Sequence, residues 1–240
     1  MWKHILDCSP DGPLLPRVVL SPPAGRTLVL APHPDDETFG MGGTVRLHVE
    51  QGDRVDVVFL TDGGFGDPDG VFADRDYPAL RRAEAQAAAA VLGVSETVFY
   101  GYPDRYPAIS EEALDDLAGR LAAEIRARNP TNLYFPWPGE CHPDHWAAAR
   151  ATLRALAQLS VELRVLGYEV WSALVPDFIV DVTGTRALKI EAGRCYASQL
   201  HYAPYFPIME GLMAYRSLHF RLRPGDPPRW GEAFVEIQRA

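Results

Sequence analysis

The chain has 240 residues, 47% hydrophobic and 23% charged, with a formal net charge of −9 at pH 7. That composition suits a globular protein with a sizeable core and excludes a disordered one. The acidic balance disfavours a nucleic-acid partner, because non-specific affinity for phosphates comes from a basic face.

No apolar run reaches the roughly 18–20 residues of a membrane helix, and the start MWKHILDCSPDGPL carries no secretory core. Cys8, Cys141 and Cys195 are odd in number and widely spaced, which argues for reduced thiols rather than a disulfide framework. The expectation is a cytoplasmic protein, one domain over residues 1–240, with no membrane span; homo-oligomer formation stays open.

After an irregular, proline-rich lead of about 25 residues, TLVLA (27–31) reads as a strand buried on both faces. A segment that turns helical before Gly52 leads to a second strand at RVDVVFL (54–60). An Ala-rich helix near 79–92 ends at Gly93, and a third strand follows near 97–101. Ser110 caps the next helix, with Glu111 and Glu112 in its first turn, and the fourth strand is 132–136. A helix near 146–159 precedes the fifth strand, 162–170. Strands and helices alternating in this way predict an α/β fold, a Rossmann-like αβα sandwich with a mainly parallel sheet in the order 3-2-1-4-5. Residues from about 171 form a C-terminal extension that completes the sheet and walls the site: a strand in DFIVDV, a helix near 186–199, an aromatic stretch (201–215) and a strand-like tail at EAFVEIQ.

In that strand order the ligand crevice lies between strands one and four. HPDDE follows strand one, and CHPDHW (141–146) follows strand four. The two clusters bring together His33, Asp35, Asp36, Glu37, His142, Asp144 and His145, a mix of imidazole and carboxylate that suits zinc and also accepts iron, cobalt or manganese. A catalytic zinc takes three protein ligands and leaves a place for water. His33 and Asp36, three residues apart on one turn, and His145 from the facing loop make such a set, with Asp35 left near the water. Helix capping is the bland reading of HPDDE, and it suits Glu37. It leaves the histidines after strand four unexplained.

These residues resemble the LmbE-like or PIG-L-like metal-dependent deacetylases. The resemblance runs through Pro32 to Glu37, Gly42-Gly43-Thr44, Thr61-Asp62-Gly63, Arg81 with Glu84, and His142 to His145. It continues through Tyr168-Glu169, Asp181, Lys189, Ser198-Gln199 and Glu232-Ala233-Phe234. It implies zinc held by His33, Asp36 and His145, a general base at Asp35, an electrophilic partner at His142, and hydrolysis of the N-acetyl group of a small N-acetylglucosamine conjugate. Zinc is the expected cofactor, with Fe²⁺ or Co²⁺ as other divalent ions.

On chemical grounds Asp144 is expected to orient His142 and keep it protonated. Arg81 has two readings of equal weight: a contact to substrate at the rim, as in relatives, or a helix pair with Glu84. Glu140 stands where some relatives carry a tyrosine, which suggests a more polar rim. Phe65, Tyr102, Tyr106, Trp137, Tyr202 and Tyr205 fall in predicted loops and are candidates to stack on a sugar. His4, His48, His201 and His219 lack ligand-type neighbours and read as packing or surface residues. Other functions remain open: an amidase for a larger acyl group or thiol conjugate, a non-catalytic metal or sugar-binding module, and a metal-dependent phosphoester hydrolase.

Overall fold

The computed structural model describes residues 15–105, 110–220 and 222–238. His4, Cys8 and Tyr106 lie outside them. The elements in chain order are β1 (Arg17–Val19), β2 (Thr27–Ala31), α1 (Asp36–Glu50), β3 (Val55–Thr61), α2 (Tyr77–Leu92), β4 (Glu96–Tyr102), α3 (Glu111–Arg128) and β5 (Asn132–Pro136). They continue with α4 (Pro143–Ala157), β6 (Arg164–Tyr168), β7 (Phe178–Asp181), α5 (Arg186–Arg194), α6 (Ala197–Leu200), α7 (Tyr205–Arg216) and β8 (Gly231–Glu236).

The local signals of the sequence are used as expected. The Ser110 hydroxyl accepts the Ala113 N–H, and Gly93 ends α2 in a left-handed conformation at φ 84°. Every residue of β2, β3 and β5 is buried, as continuous apolar runs in a two-faced sheet require. One sheet holds all eight strands in the order β4-β3-β2-β5-β6-β8-β7-β1. Its first five are the predicted parallel 3-2-1-4-5 arrangement. The extension adds β8 and β7 beyond it, with β8 antiparallel to both neighbours, and β1 from the N-terminal lead closes the edge beside β7. One apolar layer lies under α3 and α4, the other under α1, α2, α5 and α7.

Two elements differ from expectation. β1 stands in the lead read as irregular; three residues on an edge give too short a pattern to see. α7 stands in the aromatic stretch, where Pro207 falls in the first turn and is tolerated there. The predicted helix near 186–199 divides into α5 and α6 at Cys195 and Tyr196. Among the described residues no helix is long and apolar enough to cross a membrane.

α1 is broken at Met41, whose φ −144° and ψ 23° are not helical. Side chains from the extension satisfy the backbone groups this break releases. Lys189 Nζ donates to the Phe39 carbonyl at 2.9 Å and to Glu232 Oε1 at 2.6 Å, while Glu232 accepts the Gly43 and Thr44 N–H groups at 2.9 and 2.6 Å. Both side chains are 1% exposed. Removing one partner strands a buried charge, so Lys189→Met is expected to cost about 3–5 kcal/mol in chemical denaturation. A loss below 1 kcal/mol would refute this seal.

His48, also on α1, is buried with Nε2 3.0 Å from the Tyr134 hydroxyl and Nδ1 2.7 Å from Asp53 Oδ2. Burial lowers its pKa, with Asp53 opposing only in part. The folded protein therefore holds the ring neutral, while the unfolded chain takes a proton as pH falls through about 6.5. The stabilisation is complete above that value and declines until the lowered folded pKa is passed. In denaturation at pH 8, 6.5 and 5, the advantage of wild type over His48→Gln should shrink with each step; a constant gap would contradict the assignment.

Candidate metal centre and active site

β2 and β5 pair directly, Thr27 with Asn132, Leu28 with Leu133 and Val29 with Tyr134. The loops after them therefore open side by side at the carboxyl edge, at the point where strand order reverses. The Pro32 carbonyl pins the first loop by accepting the Thr61 N–H at 2.8 Å and its hydroxyl at 2.9 Å. Asp36 then folds back on His33: its Oδ2 accepts the His33 N–H at 2.9 Å and lies 3.1 Å from Nδ1.

This turn holds Asp35 at φ 144°, a conformation that costs a residue with a side chain about 1–3 kcal/mol. Asp35 precedes α1 but makes no capping bond. Its carboxylate instead lines the cavity and accepts from Arg81 Nη2 at 3.1 Å. Glu37 takes the supporting role, accepting the Tyr196 and Thr38 hydroxyls at 2.5 Å.

On the facing loop, His142 is the N-cap of α4, and Pro143 opens the helix where its missing N–H does no harm. His145 is buried completely, with Nε2 3.1 Å from Asp36 Oδ2. One nitrogen from each of His33, His142 and His145 lies within 4.8 Å of the others. His145 Nε2 nevertheless has no hydrogen-bond partner. Imidazoles gathered this closely, with a carboxylate against them, are a donor set that suits a divalent cation. Asp36 Oδ2 stands 3.1 Å from both His33 Nδ1 and His145 Nε2, whereas the imidazole group of three includes His142.

The electrostatics divide the two aspartates. Burial pushes the Asp35 carboxyl up to about 7, with Arg81 pulling the other way. For Asp36, burial also opposes charge, but His145 and His33 outweigh it and hold the group far below the usual carboxylate range. Burial works against protonated His33 as well; its bonds to Asp144 and Asp36 prevail and lift it to about 10.

Several expectations need correction. The Asp144 carboxylate lies 3.2 Å from His33 Nε2, so it orients His33 rather than His142. What reaches His142 is the Asp144 backbone N–H, donated to Nδ1 at 3.3 Å. Burial, with His33 and His145 nearby, lowers the His142 pKa, which disfavours the protonated ring. Arg81 is no rim residue: it is 1% exposed and donates to the Pro34 carbonyl at 2.6 Å as well as to Asp35. The pair with Glu84 does not form, because Glu84 accepts from the Ser198 N–H and hydroxyl. Gly66 makes room for Arg81; a Cβ there would stand 2.7 Å from Nη1.

Glu140 also points inward. It accepts the N–H groups of Val170, Trp171 and Ser172, and its Oε2 lies 3.5 Å from His145 Nδ1, behind the ring that borders the cation position. Of the aromatic candidates, Phe65 and Tyr205 line the cavity. Tyr102 bonds Asp116, Trp137 bonds the Ser172 carbonyl, and Tyr202 bonds Asp67.

The sequence reading missed Asp104 and Trp171. Asp104 accepts the Gly63 and Phe65 N–H groups at 3.0 and 2.8 Å and stands 3.9 Å from His33 Nε2. Trp171 stacks on His142 with ring centroids 5.8 Å apart. Both border a cavity of about 330 Å³ whose floor is the histidine and aspartate cluster.

The chain has relatives in sequence and in fold. The chain is 36% identical over 142 residues to a probable N-acetyl-alpha-D-glucosaminyl L-malate deacetylase 2 of Bacillus cereus, covering 57% of this chain and 63% of that protein. It is 26% identical over 192 residues to the diacetylchitobiose deacetylase of Thermococcus kodakarensis, covering 72% and 70%. The chain thus spans just under two thirds of the first relative's length. Among solved structures, the N,N'-diacetylchitobiose deacetylase of Pyrococcus horikoshii superposes with a TM-score of 0.75 at 25% identity, over 88% of this chain and 83% of that one. The family model described as PIG-L, GlcNAc-PI de-N-acetylase, matches residues 28–156 and so takes in both loops of the centre. With more than half of its length inside that match, the chain belongs to the PIG-L family.

Proposed function

We propose that this protein is a metal-dependent N-deacetylase, with zinc as its ion, that hydrolyses the acetamide of a small N-acetylglucosamine conjugate. The observation that carries the reading is Asp35, a buried carboxylate in strained backbone that faces the cavity beside the cation position while Asp36 joins the histidines. A binding module has no use for that spare base. The deacetylases of Bacillus cereus and Thermococcus kodakarensis, both named for N-acetylated sugar substrates, support the substrate class.

In this reading His33, Asp36 and His145 hold the ion. When bound, a divalent ion supplies Lewis acidity, acidifying water and polarising a carbonyl. Asp144 accepts from His33 Nε2–H, which leaves the Nδ1 lone pair on the Asp36 side. Glu140 sets a carboxylate 3.5 Å behind His145 Nδ1 and so holds that ring by its charge.

Asp35 takes the proton of the attacking water as its oxygen bonds to the acetyl carbon. The C–N bond then breaks, and Asp35 passes the proton to the departing nitrogen, giving acetate and a free amine. Since His142 Nδ1 accepts the Asp144 N–H, its Nε2 carries the proton and can donate to the developing oxyanion as a neutral imidazole. Arg81 holds Asp35 in place. Cys141 and Cys195 are free thiols, in keeping with a reducing compartment such as the cytoplasm.

Acetate release from a panel of N-acetylglucosaminides, with zinc-loaded and chelated protein, tests the proposal. Zinc-dependent acetate supports it. Phosphate from phosphoesters, or no turnover of any acetamide by the loaded protein, would overturn it.

A further inference from the structure

We infer that the substrate's second group, the one joined to the amino sugar, is an alkyl or aryl aglycone that lies along the outer face of α7. This deepens the deacetylase reading and rests on it.

The helix has two apolar stripes. Met209, Met213 and Arg216 point into the protein and are buried. Ile208, Leu212 and Tyr215 each precede one of these residues in sequence and so form a second stripe on the adjoining flank, about 100° round the helix. Ile208 is 60% and Tyr215 56% exposed, and the stripe continues to Leu218 at 74%. An exposed apolar stripe of this kind, adjoining the buried one, marks an interaction site.

Position says what covers it. Ile208 and Leu212 belong to the stripe and to the cavity wall at once, so the stripe runs out of the catalytic cavity without a break. Phe65 and Trp171, 66% and 56% exposed, line the same cavity and add aromatic surface to its wall. Around the scissile amide the lining is polar: Asp35, Asp36, His142 and Arg81. The acetyl end thus meets charged groups while the far end of the conjugate meets carbon. Arg105, the cation of the mouth, lies over the Phe65 ring with its guanidinium carbon 5.5 Å from the centroid, and so extends the aromatic wall.

The test compares kcat/KM for methyl, octyl and carboxymethyl glycosides of N-acetylglucosamine, and for methyl N-octanoylglucosaminide, with zinc-loaded enzyme below micellar concentration. Each fully buried methylene is worth about fourfold, so the octyl glycoside should exceed the methyl glycoside by about tenfold or more. In an Ile208→Asn/Leu212→Asn double variant, whose changes lie on the outer face, that ratio should fall towards one at unchanged Tm.

Equal rates for methyl and octyl glycosides would overturn the inference and leave the deacetylase reading standing, whereas no turnover of any arm would sink that reading. A preference for the carboxymethyl glycoside, or a gain with the octanoyl amide alone, would assign the mouth to an anionic group or an acyl chain and overturn the inference. So would a dimer in sedimentation that the double variant dissolves, since a second copy would then cover the stripe.

Discussion

Asp35→Asn is expected to lower kcat by about 10²–10⁴-fold, the usual contribution of a positioned general base, while the protein keeps its metal. The amide matches the carboxylate in size and meets the same backbone at φ 144°, so the turn should survive. It cannot accept a proton from water. Its amide oxygen can still accept from Arg81 Nη2, but the buried guanidinium loses its counter-charge, a loss in stability that Tm will register separately from turnover. Acetate release and metal content measured on one preparation check this. A variant with full metal and wild-type kcat would remove Asp35 from the base role.

His145→Ala should act on the other half of the chemistry. The ring is completely buried with its Nε2 3.1 Å from Asp36 Oδ2, and in the proposed centre both hold the ion. Its removal is expected to weaken metal binding by more than about 100-fold, beyond what the loss of a supporting partner costs, and to abolish turnover with it. Because deletion of a buried ring also leaves a cavity, Asp36→Asn serves as the companion: it conserves volume and should release the metal as well. Chelator competition followed by metal analysis gives the readout. Stoichiometric metal in both folded variants would exclude the assigned ligand set.

Much of this was legible before any coordinate. Ser110, Gly93 and the apolar run from Thr27 to Ala31 each state their local structure, because a cap, a left-handed stop and a two-faced strand are decided by a few neighbouring residues. The juxtaposition of the two histidine loops was also readable, once the commonest order for such alternation, 3-2-1-4-5, was taken for the sheet.

The residues misread are those whose role depends on which distant segment lies beside them. Glu140 looks like a rim acid until the segment 170–172 brings three N–H groups to it. Arg81 has Glu84 one turn away, yet Ser198 from α6 claims that carboxylate first. Asp104, a lone acid in a turn, gains its meaning from the Gly63 and Phe65 amides of another loop. His142 and Asp144 are two apart in sequence, but a helix start separates their side chains and turns one carboxylate to His33.

The break in α1 has a dynamic consequence. In an unbroken helix the Gly43 N–H would bond the Phe39 carbonyl, and both would open with their own helix turn. Here that carbonyl belongs to Lys189 and the Gly43 and Thr44 amides to Glu232, so their hydrogen exchange is governed by the detachment of β8. Native-state exchange should place Gly43 and Thr44 in one opening unit with the strand 231–236, apart from the final turn of α1. The middle of α1, two turns beyond Asp36, is then held shut by a strand from the opposite end of the sequence, so its opening should follow that strand rather than its own helical neighbours.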